Sequence, residues 1–213
     1  MLHKRGAATV TATLSGQDLT LIRGDRCLFQ DLKFALKSGE LLLIEGPNGS
    51  GKTSLLRAIA GLANLEEGRI AWNNTSVKRG RQDFHADLVW MGHQPGFKGD
   101  LTLVENLRFE AGLRTMITSA AEHRLIRLGL AGLTDIPFRA LSAGQQRRVA
   151  LARMLMAEAA LWLMDEPFTN LDAAGQQLVI ELLQEHLQSG GMCVMASHRP
   201  VELEATVQRI TLR

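Results

Sequence analysis

Apolar residues along the chain fall into short runs divided by glycine- and proline-bearing turns, and two periodicities alternate. Leu32, Phe34 and Leu36 alternate with polar neighbours, which predicts a half-buried strand. Residues 41–44 form a continuous apolar run bounded by Gly39 and Gly46, the pattern of a strand buried on both faces. Residues 52–60 then put Leu55, Leu56 and Ile59 on one side of a helix. Further strands are predicted at 68–72, 88–91, 161–164, 192–196 and 208–212, and helices at 143–156 and 172–189. From Thr102 to Arg139 the character turns helical, with helix-start signals at Thr102/Glu105 and Ser119/Glu122. Buried strands alternating with helices predict an α/β core with a mainly parallel sheet, interrupted by an inserted helical subdomain at about 102–156. Residues 1–13 are polar and are expected to form a flexible N-terminal extension, leaving 14–213 as one domain.

Composition narrows the function classes. The 24 basic and 22 acidic residues leave a net charge of +2, and no basic run carries interleaved aromatics, so no nucleic-acid partner is expected. Cys27 and Cys193 stand far apart and in no metal-ligand spacing, which fits a reducing compartment. No apolar stretch approaches the roughly 18 residues of a membrane helix. Any membrane role is therefore expected to run through a partner.

The densest chemistry lies at Gly46-Pro47-Asn48-Gly49-Ser50-Gly51-Lys52-Thr53, followed by Ser54, which matches the P-loop pattern in full. Its glycines let backbone N–H groups turn inward onto phosphate oxygens, and the following helix adds its positive end. Lys52 is expected to reach the β- and γ-phosphates of ATP, and the Thr53 hydroxyl to ligate Mg²⁺. A glycine-rich turn capping a helix is the plainer alternative; the apolar strand before the loop and the amphipathic helix after it argue against that. The predicted strand at 161–164 ends in Asp165-Glu166, where α/β sheets place ligand groups. Asp165 is expected to hold Mg²⁺ through water, and Glu166 to polarise the attacking water as general base.

Leu141-Ser142-Ala143-Gly144-Gln145 resembles the signature motif of ATP-binding-cassette (ABC) proteins, with alanine in place of one glycine. Gln94 after the 88–91 strand resembles the family's Q-loop glutamine, His198 after the 192–196 strand its switch histidine, and Asn170-Leu171-Asp172 its D-loop. The resemblance spans about 19–212. It implies a P-loop NTPase cassette with a RecA-like core, an antiparallel β part and the helical insertion. It further implies an ATPase in which Glu166, His198, Gln94 and Lys52 are catalytic and Thr53, Gln94 and Asp165 hold Mg²⁺. Two copies would pair head to tail, so that Ser142, Gly144, Gln145 and Asp172 of one copy close on ATP held by residues 46–54 of the other. Where the family places an aromatic residue against adenine, this chain has Arg23, whose guanidinium can stack on a base.

Coiled-coil arms, zinc modules and a second cassette, features of DNA-repair and translation ABC proteins, find no room in 213 residues, and the chain ends soon after its last predicted strand. The resemblance is therefore to transporter ATPases whose membrane subunits are separate chains, and among these to the ATP-binding subunits of cytochrome c maturation systems. Gly92-His93-Gln94-Pro95-Gly96, Leu101-Thr102, Glu105-Asn106-Leu107 and residues 141–153 carry that finer likeness. It implies a peripheral place on the cytoplasmic face of a bacterial inner membrane, with B-, C- and D-type membrane partners. Haem would be handled by those partners, while ATP hydrolysis drives haem export or release of the haem-loaded chaperone. An ATPase of another small-substrate or lipid transporter is the alternative. His93 is read as a positioning residue beside Gln94 rather than a haem ligand, since a lone histidine has no partner ligand.

Overall fold

The computed structural model describes residues 12–94, 96–112 and 119–213. Most of the expected N-terminal extension (residues 1–11), Pro95, and residues 113–118 of the helical region lie outside them. Thr13, the last residue of that expected extension, is the first of strand β1.

Two sheets and six α-helices make up the described chain. The first sheet is antiparallel and joins β1 (Thr13–Arg23), β2 (Arg26–Lys37), β4 (Glu67–Trp72) and β5 (Thr75–Ser76) in the order β2-β1-β4-β5. The second comprises β3 (Glu40–Glu45), β6 (Leu88–Met91), β7 (Leu161–Asp165), β8 (Met192–Ala196) and β9 (Thr206–Thr211). Its order is β6-β7-β8-β3-β9, and every recorded pairing in it is parallel.

The inner parallel strands β7, β8 and β3 are apolar along their centres because both of their faces are covered, whereas the edge strand β9 carries Thr206, Gln208, Arg209 and Thr211 and is only partly buried. Leu41, Leu43, Trp162, Met164, Cys193 and Met195 point into a core shared with α5 (Ala143–Met156) and α6 (Ala173–Gln188). The alternate residues Leu42, Ile44, Leu161, Leu163, Val194 and Ala196 enter a second core with α1 (Lys52–Ile59) and the antiparallel sheet. A short helix, α2 (Arg81–Ala86), supplies Phe84 to that second core. The strands and helices expected from residue 41 onward in the core are recovered to within one or two residues, whereas the strand expected at 32–36 runs from Arg26 to Lys37 and β1 had no counterpart among the expected strands.

The stretch after β6 is helical: α3 (Leu103–Gly112), α4 (Ser119–Arg127), two short 3₁₀ turns, then α5. Thr102 and Glu105 cap α3 reciprocally, the Glu105 amide donating to Thr102 Oγ1 at 3.2 Å and the Thr102 amide to Glu105 Oε2 at 2.8 Å. Leu103 and Leu107 on α3, Leu125 on α4 and Leu128 just beyond its end are buried with α5 in the first core. Buried Asn106 holds the preceding loop: its amide nitrogen donates to the Lys98, Leu101 and Thr102 carbonyls, while the Lys98 amide donates to its oxygen.

Candidate functional site

Parallel strands end on one edge, so this topology gathers the segments that follow β3, β6, β7 and β8. The ladder is extended one step beyond the strands: the Glu166 amide donates to the Ala196 carbonyl at 2.9 Å, and the Ser197 amide to the Ile44 carbonyl at 3.1 Å. Residues 46–51, 165–166 and 197–198 thereby lie side by side. Ligand groups in open α/β sheets collect at such an edge.

Gly46 has φ 146°, and a Cβ there would stand 2.5 Å from the Leu212 carbonyl oxygen, so only glycine fits. Gly51, at φ 102°, occupies the N-cap of α1 with no side-chain cap, which leaves the helix's first amides open to an anion. Lys52 is buried and curls back over the loop, its Nζ donating to the Gly46 carbonyl at 2.7 Å and the Pro47 carbonyl at 3.2 Å. Ser50 Oγ is also buried and has no hydrogen-bond partner among the described residues.

Thr53 Oγ1 donates to Asp165 Oδ2 at 2.8 Å. Next in the chain, Glu166 takes a left-handed backbone at φ 49°. Its carboxylate lies between Lys52 Nζ at 3.8 Å and His198 Nδ1 at 2.8 Å. One cation, one hydroxyl, two carboxylates and one imidazole therefore meet at the head of α1. They border a cleft of about 570 Å³ lined by Asn48, Gly49, Gly51, Lys52, Thr53, Ser54, Asp165 and Glu166 on its inner side. Arg23, Arg26, Leu28 and His93 complete its wall.

A nucleoside triphosphate and Mg²⁺ suit this donor set. Mg²⁺ takes hard oxygen ligands, typically one or two from protein with the rest from water and phosphate. Thr53 and Asp165 offer such a pair beside the phosphate-binding loop.

The sequence model of the ABC transporter family matches residues 29–169. The chain belongs to the ABC transporter ATP-binding family. It is 48% identical over 187 residues to the cytochrome c biogenesis ATP-binding export protein CcmA of Yersinia pseudotuberculosis, covering 87% of this chain and 86% of that protein. The protein of the same name from Methylococcus capsulatus is 44% identical over 203 residues, covering 94% and 98%. Among solved structures, a putative ABC transporter ATP-binding protein from Pyrococcus furiosus has the same fold, with a TM-score of 0.81 at 21% identity, over 94% of this chain and 97% of that one. The ATP-binding subunit of another ABC transporter superposes with a TM-score of 0.78 at 24% identity, over 87% and 79%.

Set against the family's motif order, the expected site residues divide into two groups. Residues 48–49, 51–54, 165–166 and Arg23 share the cleft, while Gly46 and Pro47 supply the carbonyls that hold Lys52. His198 joins through Glu166. The signature group lies apart from the cleft lining. Ser142 and Gln145 form a reciprocal capping box on α5, and Ala143 simply opens that helix. Gly144 abuts the Asn170 carbonyl oxygen, 3.0 Å from where a Cβ would be. Asp172 caps α6 through the Gly175 amide at 2.8 Å. Gln94 is exposed and does not line the cleft; its neighbour His93 does.

Three contributors escaped the sequence reading, and a fourth, His93, expected only as a positioning residue beside Gln94, lines the cleft itself. Arg26 and Leu28 enter because the β1–β2 turn folds over the cleft, pairing Arg23 with Arg26. His93 enters through the loop after β6. Arg147, inside the stretch quoted for the family likeness, is buried and reaches the backbone of residues 165–167. Its burial pulls the guanidinium pKa down to about 10, with the nearby Asp165 and Glu166 charges opposing the fall. At neutral pH it stays protonated.

Proposed function

We propose that this chain hydrolyses ATP as the peripheral subunit of a bacterial membrane ABC complex serving cytochrome c biogenesis. One observation carries the hydrolysis: Lys52, Thr53, Asp165, Glu166 and His198 converge within hydrogen-bonding or ion-pair distance at one sheet edge. The name shared by these relatives, at 44–48% identity, supports the cytochrome c branch.

ATP enters with its phosphates on the amides of residues 48–53, and Lys52 turns from the loop carbonyls to the β- and γ-phosphates. Thr53 and Asp165, with Gln94 brought in from the loop after β6, would hold Mg²⁺, which neutralises phosphate charge when bound. Glu166 orients a water and accepts its proton, and His198 holds that carboxylate in place through Nδ1. Because Ser142, Gly144, Gln145 and Asp172 lie off the cleft, a second copy supplies them across a composite site. There the α5 N-terminus faces the γ-phosphate.

Membrane partners of the B, C and D type dock on the helical region beside Gln94, where Phe109, Ile126 and Ile136 are exposed apolar side chains. Among the described residues no helix is long and apolar enough to cross a membrane. Copurification of the tagged chain from native membranes tests the assignment. Cytochrome c maturation subunits in the complex support it; subunits of a lipid or small-solute transporter favour the alternative.

The composite site has its own test. Gly144→Asp puts a carboxylate facing the partner copy's γ-phosphate, and like-charge repulsion should cut ATP-dependent dimerisation and turnover by more than about a hundredfold. Nucleotide binding to a single chain should survive. Gly144→Ala controls for crowding against the Asn170 carbonyl and should retain most of the activity. If the aspartate variant dimerises and turns over normally in sedimentation and ATPase assays, the composite site is wrong.

The base wall makes a second prediction. Arg23, Arg26 and Leu28 line the cleft without an aromatic ring, and both guanidiniums are exposed. A guanidinium stacks on either purine, and its paired donors suit guanine O6 and N7. Stacking worth roughly 1–3 kcal/mol is then shared by ATP and GTP, whose kcat/KM values should agree within about tenfold. A larger preference for ATP would assign base selection to residues other than these.

A further inference from the structure

Arg147 is 4% exposed and lies one turn into α5, the helix headed by Ser142. Every polar arm of its guanidinium is spent on backbone carbonyls. Nη2 donates to the Asp165 carbonyl at 2.8 Å and to the Glu166 carbonyl, Nε to Pro167 at 3.2 Å, and Nη1 to Gly92 at 2.8 Å. A buried guanidinium is costly unless its donors are satisfied, and an apolar residue of similar volume would serve packing equally well. The cost here is met by two loops: the three residues centred on Glu166, and the start of the segment leading to His93 and Gln94.

Glu166 needs such a hold. Its left-handed φ of 49° is unfavourable for a residue with a Cβ, and such conformations persist where surroundings over-determine them. The Ala196 carbonyl fixes its amide, and Arg147 fixes its carbonyl and those on either side. The carboxylate then has only its side-chain torsions with which to reach Lys52, His198 or a water. The neighbouring Arg148 does something different, bonding the Leu128 carbonyl and Asp172 on the outer side of the helix.

We propose that Arg147 is a positioning residue for hydrolysis, clamping the backbone of Glu166 and tying it to the loop that starts at Gly92, so that movement of one loop or of the signature helix moves the other. The inference rests on Glu166 being the base. Misplacing a reacting group by about an ångström can cost on the order of a hundredfold in rate while leaving ground-state binding intact.

The test uses the full chain in its copurified membrane complex, with Arg147→Lys and Arg147→Gln each made alone and on Glu166→Gln. Lysine keeps the charge but cannot span four carbonyls on two loops. Expected for Arg147→Lys is a kcat loss of roughly ten- to a hundredfold, with KM and nucleotide Kd within about twofold. Arg147→Gln should lose more. On the Glu166→Gln background the same substitutions should cost less than about twofold further, because the group they position is already gone. Losses that multiply on that background, or a rise in KM and Kd at unchanged kcat, overturn the clamp and leave the base assignment standing. Near-normal turnover in Glu166→Gln alone overturns both. Wild-type protein gives a variant-free check by hydrogen exchange: residues 92–94 and 165–168 should gain protection together on ATP binding, and independent protection overturns the coupling.

Discussion

Glu166→Gln should lower ATP turnover by roughly 10²–10⁴-fold, the range expected when a general base is removed. Nucleotide affinity should hardly change, because the carboxylate contributes to the water's proton transfer rather than to phosphate binding. Glutamine keeps the side chain's shape and can still meet His198 and Lys52, so the β7 edge keeps its geometry. The electrostatics even favour binding: one negative charge near the γ-phosphate disappears. ATP-bound dimers should therefore accumulate, visible by sedimentation with Mg-ATP, while phosphate release falls. Near-normal turnover would remove Glu166 from the reaction and pass the role of base to another group at the cleft.

Lys52→Ala should produce the opposite division of effects. Its ammonium is buried at the head of α1, where it donates to two carbonyls and stands 3.8 Å from the Glu166 carboxylate. Removing it deletes a charge-assisted phosphate contact of about 1.5–3 kcal/mol, so affinity should fall by about ten- to a hundredfold along with turnover. In cells the same variant should abolish covalent haem in membrane cytochromes c while the apocytochromes are still made. If ATP hydrolysis drives release of the haem-loaded chaperone, haem should collect on that chaperone. Haem staining of membranes and of the tagged chaperone reads both. Mature cytochrome c at wild-type levels would sink the cytochrome c assignment and leave a transporter ATPase of another kind.

What the amino-acid order determined by itself was local. The runs at 41–44, 161–164 and 192–196 declare strands because a parallel strand covered on both faces must be apolar at every position, whatever its neighbours are. The 46–53 loop is equally explicit, since curling a backbone around phosphate requires glycine at fixed places and one lysine and one hydroxyl after them. The capping pair Thr102/Glu105 acts within three residues and so announces α3. β1 is different. Leu14, Leu19 and Leu21 face its core, but Gly16, Gln17 and the positive-φ Asp18 break the two-residue period through register shifts. Only pairing with β2 and β4 makes that segment a strand.

The tertiary structure alone decided which separated groups meet. Placing β3 between β8 and β9, with β7 beyond β8, brings Thr53 against Asp165 and His198 against Glu166 across more than a hundred and about thirty residues respectively. No periodicity encodes that order, because β3, β7 and β8 share the same apolar pattern. The same holds for Arg26, Leu28 and His93, exposed or half-exposed side chains that become cleft wall only when a turn folds over the loop. Arg147 is the clearest case. A charged residue in a helix reads as solvent-facing, and its burial follows from four carbonyls left by two loops at the end of a sheet, a set of partners that exists only once the strands are in place.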